Sequence, residues 1–338
     1  TALTKQEVSH LLDIVTELKN DGLGIVFISH KLEEVFEVAD RITVFRDGKK
    51  IGTFPKKELT KKKLAYYMTG REIEYPHYRR QTADDEALLD VRSISKKANY
   101  EDVSFAIRRG DIVGLTGLLG SGRTELALSL FGLNPPDSGK VYFAGKPITL
   151  HSPSAAKLAG IALLPEDRYT QGMFNNMTIS ENISSVVLEK ITGLKGVINQ
   201  KKENDLAVSS VERLHVKTPS VQTAIGSLSG GNQQKSIISK WMNRKPRLFI
   251  MDTPTVGVDI GSKEEIYALI QGFARDGMAV LLITDEMEEL LTNCNRVLIM
   301  AEHRIIASLD EEDLKQSDIK TKIRGLISSQ TAEGGRAQ

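Results

Sequence analysis

Residues 117–125 read GLLGSGRTE, set between an apolar run, IVGLT, and a stretch of helical periodicity, TELALSLFG. The spacing follows G-x-x-x-x-G-K-[ST] with Arg123 in the lysine position, and a strand before and a helix after are the context that motif requires. Gly120 and Gly122 let consecutive backbone N–H groups turn inward, and the start of the helix adds partial positive charge at the same spot. With Gly117 opening the turn and Ser121 between the later glycines, the loop is suited to cradle phosphate oxygens, and Thr124 supplies a hydroxyl for Mg²⁺. Arg123 keeps the charge, but its planar fork is bulkier than an ammonium. A glycine-rich strand–helix turn that holds no ligand has the same spacing. On the phosphate reading the fold is an α/β P-loop domain with a largely parallel core sheet.

Two further stretches bear on that choice. Phe249–Asp259 reads FIMDTPTVGVD, an apolar strand that ends in an acid, Asp252, and then turns through Pro254 and Gly257. In nucleotide hydrolases a strand-end acid holds Mg²⁺ and the next residue is usually a second acid that handles the attacking water. Here the next residue is Thr253, which cannot act as a base at neutral pH. Residues 226–235 read GSLSGGNQQK, where Ser229, Gly230 and Gly231 open a helix that continues through SIISKWMN. A hydroxyl and free N–H groups at a helix start make a second anion site. A plain N-cap serine accounts for the same residues.

Composition narrows the class. At 338 residues about two domains are expected. Apolar residues are 40%, charged residues 26% and net charge +1, so neither nucleic acid nor anionic lipid is drawn to the chain by bulk charge. Cys294 is the only cysteine, which leaves no internal disulfide and fits a reducing compartment. No apolar run approaches a bilayer span, and TALTKQEV has no leader pattern. These features lead us to expect a soluble, cytoplasmic, mixed α/β protein.

An internal repeat sets the organisation. DGLGIVFISHKLEEVFEVADRITVFRDGKKIGTF (21–54) aligns without a gap to DGMAVLLITDEMEELLTNCNRVLIMAEHRIIASL (276–309). Asp21/Asp276, Gly22/Gly277, Ile28/Ile283, Glu33/Glu288, Glu34/Glu289, Arg41/Arg296 and Ile51/Ile306 are identical, and the apolar pattern predicts two strands flanking a helix in each. Thr1 then falls opposite Val256, just past DTPT, so residues 1–54 are expected to be the end of a first copy whose beginning lies upstream. Residues 55–86, with TKKK and the Pro76-interrupted YPHYRRQT, are expected to be a linker. A complete unit follows at 87–322, opening on alternating strands (LLDVRSI, VSFAI), with 323–338 expected to be a disordered tail.

LSGGNQQK, seventeen residues before Asp252, resembles the signature loop of ABC-transporter ATPases. GLLGSGRTEL, LLPEDR with MTISENI, IGSLSGGNQQK and DTPTVGVD follow the order found in the tandem-cassette ATPases of bacterial ribose, galactose and arabinose importers. The resemblance covers nearly the whole chain. It implies an ABC-type P-loop fold, with an antiparallel β subdomain and a helical subdomain from about Met177 to Lys235. It also implies a head-to-tail sandwich with two ATP sites, each combining the phosphate loop of one cassette with the signature loop of the other. The implied ligands are ATP and Mg²⁺. The implied partners are the first cassette, membrane permease subunits touching the region near Glu166–Phe174, and, indirectly, an external sugar-binding protein, at the cytoplasmic face of the bacterial inner membrane.

The resemblance also assigns residues and departures. Gly117, Gly120, Ser121, Gly122, Arg123, Thr124, Glu166, Asp252 and Asp285 would face one nucleotide, with Thr124, Glu166 and Asp252 at the metal. Leu228, Ser229, Gly230, Gly231, Asn232 and Gln233 would complete the partner site, where His30 is the catalytic switch residue. In the complete cassette Glu166 stands where a γ-phosphate-sensing Gln is usual and Asp285 where the switch His is usual; together with Thr253 they mark a degenerate site. Asp285–Glu289 reads equally as an acidic helix start, and His30 as a structural His. Tyr100 is the nearest candidate to stack on adenine, or else a packed strand-edge residue. The rival functions are a non-hydrolysing nucleotide-binding regulatory module, a soluble tandem ABC protein on ribosomes or DNA, and an unrelated P-loop kinase. Neither a basic linker nor a coiled-coil insertion is present to support a nucleic-acid partner.

Overall fold

The structure, a computed structural model, describes residues 5–29, 31–46, 48–70, 72, 77–82, 85–193 and 196–334. The chain divides into two compact units, one of residues 1–75 with 259–264, the other of 76–258 with 265–338.

In the smaller unit, helices α1 (Lys5–Asn20) and α2 (Leu32–Val38) precede a hairpin of β1 (Arg41–Arg46) and β2 (Lys49–Pro55). Helix α3 (Lys61–Thr69) follows, started by the Thr60 side chain accepting from the Lys63 N–H and closed by left-handed Gly70. Residues 56–69 were expected to be linker. They fold instead because Leu59 and Leu64 join Ile42 and Val44 of the hairpin in a small apolar core. Lys61–Lys63 lie exposed at the start of α3, a solvated helix end. The strand expected over 24–29 is absent: these residues have no regular structure, and Val26 and Ile28 are 89% and 92% exposed.

The larger unit opens with β3 (Ala87–Lys96), β4 (Tyr100–Arg108) and β5 (Ile112–Gly117), then α4 (Arg123–Leu130), β6 (Ser138–Phe143) and β7 (Lys146–Ile148). Helix α5 (Pro153–Ala159), capped by Ser152, leads to β8 (Ile161–Leu164). A helical region follows: α6 (Ile179–Ser184), with a Thr178/Glu181 capping box, α7 (Leu188–Ile191), α8 (Gln200–Arg213) and α9 (Gly230–Met242). The remainder is β9 (Leu248–Asp252), α10 (Ile260–Arg275), β10 (Ala279–Ile283), α11 (Met287–Asn293), β11 (Arg296–Ala301), β12 (Arg304–Leu309), α12 (Glu311–Leu314) and α13 (Ile319–Gly334).

Six strands form the core sheet in the order β12-β11-β5-β10-β9-β8, parallel except for β12. Every residue of β5, β8, β9 and β10 is buried, as expected for apolar runs covered on both faces. A second, antiparallel sheet has the order β4-β3-β6-β7. The expected fold, a largely parallel P-loop core with antiparallel β and helical parts, is the one observed. One boundary is corrected: the tail expected to be disordered from 323 is helical through Gly334. Ile319 and Ile323 are buried, and Leu326 and Ile327 pack behind them, so an i, i+4, i+7, i+8 stripe holds the helix on the core. Among the described residues no helix is long and apolar enough to cross a membrane.

Candidate functional site

Parallel strands bring their C-terminal ends to one edge of a sheet, and that edge is where an open α/β sheet holds ligands. The neighbours β5, β10, β9 and β8 end in Gly117, Ile283, Asp252 and Leu164, so the phosphate-type loop, Asp285, Asp252 and Glu166 all leave the sheet at the same edge. Gly122 is the N-cap of α4, and its backbone lies so close to the β3–β4 turn that a Cβ there would come within 2.2 Å of the Asn99 carbonyl. Gly120 is exposed and Ser121 buried, the latter with a hydroxyl that has no hydrogen-bond partner among the described residues.

The Thr124 hydroxyl donates to Asp252 Oδ2 at 2.7 Å. Both residues line a cleft of about 80 Å³ together with Leu163, Pro165, Glu166 and Gln171. Burial pushes the Asp252 carboxyl up to about 6, the Thr124 hydrogen bond pulls the other way, and the nearby Glu166 adds to the rise. At neutral pH this acid is ionised against its desolvation, a state that a bound cation favours. Two carboxylates and a hydroxyl on one cleft, beside a helix start that attracts phosphate, are the donor set with which Mg²⁺ binds a nucleotide. The residues present therefore fit both groups.

Arg123 points elsewhere. Its guanidinium is buried and forms an ion pair with the half-exposed carboxylate of Asp285, and Nη2 donates to the Leu118 carbonyl at 3.4 Å. The two residues that depart from the usual pattern just after β5 and β10 are thus bonded to each other. Thr253, directly after Asp252, has φ +45, a left-handed conformation that strains a β-branched residue. Its hydroxyl is buried and unpaired among the described residues, and its N–H donates to the Ile283 carbonyl at 2.8 Å.

Residues 100–256 match the ABC transporter family. The chain has the fold of an ABC-type P-loop ATPase. Its fold is that of a nucleotide-free cassette from an ABC transporter, with a TM-score of 0.60 at 23% identity over 71% of this chain and 98% of that one. The chain is 39% identical to the galactose/methyl galactoside import ATP-binding protein of Clostridium tetani over 321 residues, 94% of this chain and 64% of that protein. It is 40% identical to the ribose import ATP-binding protein of the same organism over 94% of its own length and 63% of the relative's. The chain therefore spans less than two thirds of the length of either relative.

Elsewhere in the cassette, the signature-like loop lies outside the cleft. Leu228 packs on the core, Ser229 is the exposed N-cap of α9, and Gly231 and Gln233 are buried. The Ser229 side chain caps no backbone N–H; its oxygen accepts instead from Asn232 Nδ2 at 2.9 Å, while Asn232 Oδ1 accepts from the Lys217 N–H. Gly230 abuts the turn after Asp252, where a Cβ would come within 2.5 Å of the Gly257 carbonyl. His30 lies outside the described residues. Of the two readings of Tyr100, the packed one holds: the residue is 2% exposed in the main core, because its strand turns the ring inward, and no face is left for a base. One residue was missed altogether. Arg168, within LLPEDR, is buried among neutral acceptors, and the only signal in the sequence was an arginine inside a motif read for its acid.

Proposed function

We propose that this chain is the ATP-binding part of a bacterial importer of ribose- or galactose-type sugars, and that its cassette at 87–322 binds MgATP while hydrolysing it slowly or not at all. The Arg123–Asp285 ion pair carries the reading. The cation that would meet the β- and γ-phosphates is shared with a carboxylate standing where a switch histidine is usual, and Thr253 provides no base. Loss of a general base costs on the order of 10²–10⁴ in rate. Loss of a donor to the developing charge adds to that. Thr124, Asp252 and Glu166 would hold Mg²⁺, which when bound neutralises phosphate charge.

Ser229 is exposed outside the cleft, which supports a role for Leu228–Gln233 on a nucleotide held by a first cassette. Residues 1–54, with His30, would be the end of that cassette. Exposed Tyr169 and Phe174 suit contact with a permease, through which an external sugar-binding protein would act. On this reading the protein is peripheral at the cytoplasmic face of the inner membrane.

The test is ATP turnover by the chain alone and mixed with a separately made N-terminal half, then with Ser229→Ala or His30→Ala. Silence alone, with turnover in the mixture that either substitution abolishes, is the expected result. Binding with no turnover in any mixture would favour a regulatory module. Fast turnover by the chain alone would refute the degenerate site.

A further inference from the structure

Two turns stand against the phosphate loop on the side away from the metal cleft. In the core sheet β9 and β8, whose ends bring Asp252 and Glu166 to that cleft, lie on one side of β5, and β11 and β12 lie on the other. A side chain at Gly117 would strike the Met300 carbonyl near the end of β11, and one at Gly122 would strike the Asn99 carbonyl in the β3–β4 turn. The β3–β4 and β11–β12 turns are also fastened to each other. The Glu101 N–H donates to the His303 carbonyl at 2.8 Å, and Arg304 pairs with Glu101 at 2.6 Å. A nucleotide with its terminal phosphate and Mg²⁺ at Thr124, Asp252 and Glu166 would run from the cleft across the loop, which brings its base to these two turns.

The β11–β12 turn has unusual residues for its shape. Ala301 pairs with Arg304, so Glu302 and His303 form a two-residue hairpin loop, with φ +47 and +64. Two left-handed residues in such a loop favour Asn-Gly or Asp-Gly. Copy one of the repeat follows that rule: residues 47–48 read Asp-Gly, and Gly48, aligned with His303, has φ +74. His303 thus carries a side chain where glycine would turn without strain. Strain of this kind concentrates at functional positions. The ring is held in place as well. Nδ1 lies 2.8 Å from the Asn99 carbonyl, which can only accept, so Nδ1 carries the proton and Nε2 of the neutral ring presents a lone pair. His303 is exposed and Tyr100 is buried, and residues 96–99 and Glu302 supply no other aromatic ring.

We infer that His303 reads the base of the nucleotide. Its exposed ring meets the base, and Nε2 accepts a hydrogen bond from an exocyclic amino group. Adenine carries that group; a base with a carbonyl oxygen at the same place would set lone pair against lone pair. His303 is therefore a specificity-determining residue, and it stands on a turn that the phosphate motif does not include. The inference deepens the proposed reading that the cleft takes MgATP, and rests on it.

Equilibrium binding of three magnesium complexes to the intact chain tests it. They are ATP, ITP, whose base has a carbonyl oxygen where adenine has its amino group, and tripolyphosphate, which has no base. The wild type is expected to bind ATP about three- to tenfold more tightly than ITP, the net worth of one partly solvated hydrogen bond. His303→Gly gives this turn the residue type of copy one and relieves its strain. His303→Phe keeps a ring without an acceptor. Both are expected to lose the preference for ATP over ITP while tripolyphosphate binding stays unchanged. A purely structural role would weaken all three ligands together. A preference kept in either variant, equal wild-type affinity for ATP and ITP, or a parallel loss of tripolyphosphate binding overturns the role of His303 alone. If the wild type binds none of the three, the MgATP reading of the cleft falls and this role with it.

Discussion

The two repeat copies, 21–54 and 276–309, share a pattern but not an outcome. Their hairpins agree in detail. Ile42 pairs with Phe54 as Val297 pairs with Leu309, and the register slips at Val44/Phe45 in one and at Ile299/Met300 in the other, which are aligned positions. The strands that should precede the helices do not agree. Ala279–Ile283 is fully buried between β5 and β9, whereas 24–29 has no regular structure and leaves Val26 and Ile28 in solvent. A hairpin closes its ladder within one short stretch of chain. A parallel strand has no local partner and exists only where others flank it.

Five substitutions sharpen or break this contrast. Ile283→Ala is expected to cost about 2–5 kcal/mol in urea unfolding, and Ile28→Ala, at the aligned position, no more than about 0.5 kcal/mol. A large cost at Ile28 would mean that copy one buries a strand after all. Gly22 and Gly277 both sit at φ near +90 with open space where a Cβ would go. Alanine at either is thus expected to cost a similar amount, about 1–2 kcal/mol, and unequal costs would show that this turn is not locally encoded. Asp285→His restores in copy two the residue type of copy one and removes the partner of Arg123. Because Asp285 is half exposed, a loss of only about 0–1 kcal/mol is expected, together with a measurable change in MgATP affinity.

The same division between local and distant causes runs through the candidate site. The loop at Gly117–Thr124, the strand ending in Asp252 and the helix opened by Ser229 were legible because each is a short run with its own turn chemistry and period. What those residues touch was not legible. Arg123 and Asp285 are 162 positions apart, and each looked like an isolated departure until the sheet set β5 beside β10. Arg168 was read past because three of its four acceptors stand 65 to 89 positions away and two of those are backbone carbonyls, which no motif records.

By itself, then, the amino-acid sequence determined the fold class and the chemistry offered at the strand ends, since apolar period and glycine placement act over a few residues. Tertiary structure alone decided that 24–29 stays unpaired, that α13 continues past residue 323, that the Tyr100 ring is buried, and that Arg123 and Arg168 spend their donors inside the protein. Each of these depends on whether a distant segment supplies a surface or an acceptor, and free energy from such contacts exists only once the chain has brought them together.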